Sequence, residues 1–416
     1  MKKCLIIILA CAMLLLGCGE TETAEKTKIS FIHGWGGSSE IHARMRKIYQ
    51  EFEELNPDID LSITEYADAS VAMDKADDML SVGKMPDIVN TSGYASYARN
   101  ATKLGYAMDL SGFFEENTEV ADSLYEDAID TLRMGNGRIY TVPDAIEVSG
   151  YWYNEKLFDA AGVTEVPLTW DEFFADMTAV DTYMKDEDLG SACCVESTQL
   201  YEFFLLADMY GHFSARDEAS FNYGRTSGDT LFAVRNDLDR LLEVSDTADN
   251  TAGARETFLS GGSAVYFNGI WESEPIDKAD ISEDIKFAPY PSSDGKGLIY
   301  FSVSSGYVIK KQEDSKKEEA VQRFLKYMLS DDVQTQIAYD TGQMPISKNV
   351  DFDKVEDYIP TLSAAIKAAN TAGKRIRTLS SAWNQEKIDI LYEYYESGSE
   401  DEKDAVYAAD MINKTS

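Results

Sequence analysis

Apolar positions along this chain switch repeatedly between a period of two and a period near 3.6. Residues 28–32 form a short apolar run that predicts a strand, and His33-Gly34-Trp35-Gly36-Gly37 follows as a turn. Ser38 can then cap a helix, because Ile41, Met45, Ile48, Phe52 and Leu55 recur at steps of four and three. That spacing gives one apolar helix face, and Asn56-Pro57 ends it. Ile59, Leu61 and Ile63 alternate as a strand. A second helix is predicted over 71–82 with Gly83 at its C-terminal cap, and a third short strand over 86–89. Strand, helix, strand, helix, strand predicts an α/β fold with a parallel sheet and right-handed crossovers. In such sheets ligands sit at the carboxyl ends of the strands, here the loops 34–37, 66–69 and 91–94.

Residues 138–158 are the stretch around which the rest is arranged. Two strand-like runs meet at Pro143-Asp144, and the second leads to Asn154, which can cap a helix. A rigid bend, a carboxylate and an aromatic cluster read as a crossover between two lobes, with a ligand held beside it. Thr169-Trp170-Asp171-Glu172 is a capping box, with Trp170 as packing. Residues 186–260 read as helical with a polar break near 217–229; 264–267 and 285–289 read as strands. The run 299–309 reads as a long strand interrupted by Ser304-Ser305-Gly306. Helices are predicted over 318–329 and 332–339, then 361–372 and 382–395. A last helix would open on a Ser399–Glu402 capping box.

Length and composition add the scale. At 416 residues the chain suits two lobes, and 44% apolar with 27% charged residues is a globular composition. The one long apolar run, 5–16, follows Lys2 and Lys3 and reads as a signal-peptide core, too short to span a bilayer. It ends Gly17-Cys18, which resembles the lipobox of bacterial lipoproteins. That resemblance implies a signal peptide over 1–17, acylation of Cys18, and a tether over 18–28. The chain would then be exported and held on the extracytoplasmic face of the cell membrane by its own lipid. Cys193 and Cys194 remain, with no metal-ligand spacing; they read as two reduced thiols, with a vicinal disulfide as the alternative, which would need a distorted peptide unit. The formal charge of −36 excludes nucleic acid as a natural partner.

Catalytic motifs fail when tested. The His33–Gly37 turn resembles the oxyanion-hole loop of α/β-hydrolases, but Gly261-Gly262-Ser263-Ala264-Val265 lacks the closing glycine of a nucleophile elbow. No histidine lies beyond His212. Neither a phosphate-cradling loop nor a dinucleotide fingerprint is present. Trp35, Trp152, Trp271 and Trp383 each fall near a loop or helix start. Aromatic faces beside carboxylates and amides suit sugars, which have apolar C–H faces and polar rims.

Several segments, in order, carry a family resemblance. They are Phe52-Glu53-Glu54-Leu55-Asn56-Pro57, Gly83-Lys84-Met85-Pro86-Asp87, Gly137-Arg138-Ile139-Tyr140-Thr141-Val142-Pro143 and Tyr151-Trp152-Tyr153-Asn154-Glu155-Lys156-Leu157-Phe158. Pro167–Phe173, Phe267–Glu272, Ala288–Pro291 and Gly306–Lys310 complete the series. The chain resembles the extracellular solute-binding proteins of ABC importers, in the large carbohydrate-binding family. The resemblance implies a two-lobed clamp of the periplasmic-binding-protein type, each lobe a mainly parallel sheet flanked by helices. Its lobes would be 29–142 with 305–345, and 146–300 with 348–416, joined by three crossovers near 141–148, 299–306 and 342–348. It implies ligand contacts from Trp35, Gly36, Asp68, Tyr94, Asp144, Tyr151, Trp271, Ser304 and Trp383. Asp68 and Asp144 would accept hydrogen bonds from sugar hydroxyls. Tyr151 and Trp152 would point to opposite faces of one strand, with Tyr151 toward the cleft. A monomer without cofactor or metal, partnered by a carbohydrate and by membrane permease subunits, is the implied function. Glycan sensing by the same fold is the alternative; a secreted hydrolase is the remote one. Cys193-Cys194 is not a feature of the family.

Overall fold

The computed structural model describes residues 25–91, 94–125, 128–129, 132–134, 136–213, 215–221, 223–303, 306–379 and 383–415. The described strands are, in chain order, β1 (Thr27–His33), β2 (Ile59–Glu65), β3 (Ile88–Asn90), β4 (Thr141–Val142), β5 (Glu147–Asn154) and β6 (Ser191–Val195). They continue as β7 (Ser245–Thr247), β8 (Ser263–Gly269), β9 (Ile285–Ala288), β10 (Leu298–Ser302), β11 (Tyr307–Ile309) and β12 (Lys374–Ile376). They form two sheets. The first has the order β2-β1-β3-β11-β4; the second has β12-β10-β5-β8-β6-β7, with β9 also paired to β5.

The sheets are mixed, a departure from the mainly parallel expectation. β1 runs parallel to β2 and β3, but β11 is antiparallel to both β3 and β4. In the second sheet β5 is antiparallel to β8, β9 and β10. The reversal follows from the exchange of chain between lobes: β11 enters from the other sheet, and so runs against β3.

The chain passes between sheets at 143–146, between β10 and β11, and after the helix Asp331–Thr341. The first and third passages are tied together. Ile146 N–H donates to Met344 O at 2.8 Å, and buried Gln334 donates to Asp144 O and accepts from Ile346 N–H. An apolar cluster runs behind these crossovers from Phe31, Ile88 and Tyr307 through Phe324 and Ile337 to Trp152, Phe287 and Phe301. Separate cores fill the other face of each sheet, around Met73, Val89 and Tyr97 and around Phe173, Phe204 and Phe267.

Local signals are realised with small shifts. The first helix, Glu40–Leu55, buries Met45, Ile48, Tyr49 and Phe52, and its cap is Ser39, one residue after the expected Ser38. Asn154 caps Glu155–Ala160, and Thr169–Glu172 is a complete capping box. The last helix, Glu402–Lys414, is capped by Asp401; the Ser399 hydroxyl instead donates to Asp404. Within the stretch 186–260 read as helical, β6 and β7 are strands, and β12 is a strand between the two predicted helices 361–372 and 382–395. β6 is buried on both faces, so it shows no alternation to betray it. Cys193 and Cys194 lie on it, unbonded and buried toward opposite cores. Among the described residues no helix is long and apolar enough to cross a membrane.

Candidate ligand cleft

β1 ends at His33, and the loop that follows is fastened from three sides. The Trp35 N–H donates to His33 Nδ1 at 3.1 Å. Arg46 Nη1 donates to the Trp35 and Gly37 carbonyls at 2.6 and 3.0 Å. Gly36 N–H donates to Tyr66 O at 2.7 Å, and a Cβ on Gly36 would itself lie 2.7 Å from that oxygen. Gly36 therefore serves close approach of the two strand-end loops. Trp35 is half-buried and meets the His42 ring edge-on at 5.3 Å. Beyond β2, exposed Asp68 caps the helix Ala69–Ser81, its Oδ1 accepting Val71 N–H at 2.9 Å. Gly34, Trp35, His42 and Asp68 line a cavity of about 230 Å³, together with Glu147 at the start of β5 and Gln343 on the third crossover. The cavity thus lies where the lobes meet. Burial, then the neighbouring Arg46 and His42, lowers His33 to about 4, so its imidazole is neutral at pH 7.

The second lobe carries an aromatic cluster next to the third crossover. Trp271 stands half-buried on the 3₁₀ turn Ile270–Glu272, directly after β8. Its ring lies 6.1 Å from that of Phe203, which is in turn 6.1 Å from Tyr300. Gly269 makes room for this: a Cβ there would come within 2.1 Å of the Trp271 ring. Phe203 belongs to a π-helix, Gln199–Phe204, ahead of the helix Leu205–His212. Such wide turns frequently mark functional positions. Beneath the turn, buried Glu272 accepts two hydrogen bonds from Arg255, at 2.5 and 2.7 Å. Gly342, next to the cavity residue Gln343, faces the Trp271 backbone at 3.6 Å from where its Cβ would be.

The residues predicted from sequence separate into groups. Trp35, Gly36 and Asp68 gather at the strand ends of the first lobe, and Trp271 lies across the crossover from them. Tyr94 is 42% exposed at the start of the helix Ala95–Lys103, beyond β3. Asp144 is buried, accepts from Asn90 Nδ2 at 2.7 Å, and belongs to the fastening of the first crossover. Tyr151 is fully buried among Phe173, Phe267 and Tyr290. Trp152 does point to the opposite face, as the strand period requires, but is equally buried, with Nε1 donating to Gly269 O at 3.0 Å. Trp383 is core as well, its Nε1 bonded to Phe221 O. Tyr151 and Trp383 therefore present no ring face to the cleft here: Tyr151 lies under Phe173 of a covering helix, and Trp383 packs against Phe221 at 5.0 Å. Ser304 and Cys18 lie outside the described residues. Sequence reasoning missed Glu147, Gln343 and Phe203. The signals were a charge opening an apolar strand, an amide between Gly342 and Met344, and the Tyr201-Glu202-Phe203-Phe204 run.

Two α/β lobes joined by three crossovers around a cleft define a solute-binding clamp. The chain belongs to the bacterial extracellular solute-binding protein family, whose profile matches residues 47–373. This is a family of binding proteins rather than enzymes. The chain is 25% identical over 390 residues to the multiple sugar-binding protein of Streptococcus mutans, covering 90% of this chain and 88% of that one. A Streptococcus pneumoniae solute-binding protein in complex with the blood group A-trisaccharide shares the fold, with a TM-score of 0.74 and 22% identity over 93% of this chain and 100% of that one. Maltose-bound MalE3 of T. maritima also shares it, at a TM-score of 0.72 and 19% identity over 93% and 99%.

Proposed function

We propose that the protein captures a sugar or oligosaccharide between its two lobes and delivers it to the permease of an ABC transporter. The observation that carries this is the cavity between the lobes, where half-buried Trp35 and exposed Asp68 of the first lobe meet Glu147 and Gln343; half-buried Trp271 of the second lobe follows beside Gly342, the neighbour of Gln343. Indole faces stack on the apolar face of a sugar ring, while Asp68, Glu147 and Gln343 offer acceptors and an amide for hydroxyls. The sugar-binding relatives support the ligand class. Tyr94 stands as a further contact at the rim, and Asp144 acts through the crossover it fastens. Cys18 anchors the chain by lipid to the outer face of the membrane, where the monomer meets its permease.

Ligand contacting both lobes binds the closed form better than the open one, and so shifts the population toward closure. A thermal-shift screen against mono- and oligosaccharides tests the reading, since a ligand specific to the folded state raises Tm. At least one carbohydrate should do so. Trp271→Ala should weaken its binding about tenfold, corresponding to ~1.4 kcal/mol, with a circular-dichroism spectrum like that of the parent. A panel in which only peptides or polyamines raise Tm overturns the sugar assignment.

A further inference from the structure

In the second lobe, away from the residues that line the cleft, two helices bring together three side chains that no part of the binding function uses. Asp208 and His212 lie one turn apart on the helix Leu205–His212, and Asp237 faces them from the helix Gly228–Glu243. Asp208 is fully buried, yet neither carboxylate oxygen has a hydrogen-bond partner. His212 Nε2 lies 3.6 Å from Asp208 Oδ2. The same Nε2 lies 2.9 Å from Asp237 Oδ2. A buried carboxylate without a hydrogen bond is costly, so the cluster favours positive charge at its centre.

We propose that Asp208, His212 and Asp237 form a divalent-cation site of the zinc type that clamps these two helices together. One ligand atom from each residue lies within 4.8 Å of the other two. Ligands about 2.0–2.2 Å from a tetrahedral zinc stand roughly 3.3 Å apart, and the observed 2.9 and 3.6 Å bracket that separation. One imidazole with two carboxylates is a donor set that zinc accepts, whereas calcium takes six to eight oxygens. Two carboxylates and a divalent ion also leave the buried site neutral. The supporting shell is present: Asp237 Oδ1 accepts from Arg240 Nη1 at 2.7 Å, and the guanidinium lies 4.0 Å from the centre of the Phe174 ring. That contact orients the carboxylate. The His212 side chain is one-third exposed, at 32%, so ion and water can reach the fourth position from that side. In the protein alone, protons neutralise the cluster. Burial raises Asp208 to about 7, and the neighbouring carboxylates, Asp208 and then Asp237, raise His212 to about 10. A cation would displace a proton from His212 and remove the need for one on Asp208.

The test uses tag-free protein stripped with a chelator and titrated with zinc chloride. One zinc should be retained per chain in equilibrium dialysis, and Tm should rise by about 4 °C at zinc a hundredfold above Kd. Magnesium chloride should give no such rise. Asp208→Asn keeps the shape and removes the buried charge, so it should fold while losing the zinc response. His212→Ala should lose it too. Cobalt chloride should give the intense visible absorption of a tetrahedral site in the parent and not in Asp208→Asn. No retained zinc, or zinc retained equally by both variants through the acidic surface, overturns the proposal and leaves a proton-bridged ion triad.

Discussion

His33 is the residue on which the Trp35 loop turns. Its ring is buried, and Nδ1 accepts the Trp35 N–H, so the proton of the neutral ring sits on Nε2. Burial holds its folded pKa at about 4, against 6.5 in the unfolded chain. A depressed pKa gives stability that is present above pH 6.5 and lost as pH falls toward 4. The loss from this group alone is on the order of 3 kcal/mol. Because the many carboxylates titrate in the same window, the comparison must be with His33→Asn. Its Tm should fall less steeply than the parent's between pH 6.5 and 4. Parallel slopes would remove His33 from the acid response. Residue-level reading also has a limit here. The alternation of β5 placed Tyr151 and Trp152 on opposite faces, as they are. It could not tell that both of those faces are covered.

At the scale of elements, the turn carrying Trp271 rests on an ion pair rather than on a helix. Glu272 is 1% exposed and is held by Arg255 from the helix Thr251–Leu259, with Asn268 Nδ2 at 3.4 Å. Removing one partner leaves an uncompensated buried charge, which costs about 3–5 kcal/mol, whereas removing both costs less. Arg255→Ala should therefore lower unfolding free energy by about 3 kcal/mol in urea melts, and Arg255→Ala with Glu272→Gln should recover part of it. A single-variant loss below about 1 kcal/mol would mean that the turn stands without the pair. The π-helix supplying Phe203 is the other element no sequence pattern announced. Its aromatic run fits an α-helix equally well, and only contact with Trp271 and Tyr300 selects the wider turn as useful.

For the whole molecule, the question is what lets the lobes move and what limits them. The shared apolar cluster behind the crossovers and the Gln334 node hold the back of the clamp. Across the lobes, Arg44 reaches Glu274 at 3.5 Å and Lys278 reaches Glu40 at 3.7 Å. These are partly exposed pairs, each contributing little and screened by salt. They suit a contact that must break and reform. Small-angle scattering should show a smaller radius of gyration when a bound oligosaccharide is present. The Cys18→Ser chain, released from the membrane fraction if Cys18 is the anchor, provides the soluble material. An unchanged radius at saturating ligand would rule out closure as the signal a permease reads.

The sequence by itself determined the family and most of the elements, though not β6, β7, β12 or the π-helix. Capping at Asn154 and Thr169, the apolar face of the first helix, and the alternating strand at Ile59 are local, and local energetics decided them. The ordered segments from Phe52 to Lys310 carried the family by their order and spacing along the chain. Tertiary structure decided which side chains reach the cleft. Trp35 and Trp271 stay half-buried, while Tyr151 and Trp383 disappear into the core and Asp144 into the crossover. The physical reason is that periodicity reports which face a side chain takes, whereas exposure depends on what long-range packing lays over that face. Glu147, Gln343 and the Asp208–His212–Asp237 cluster come together only when distant elements meet, so a local pattern can mark the single residues but not their juxtaposition.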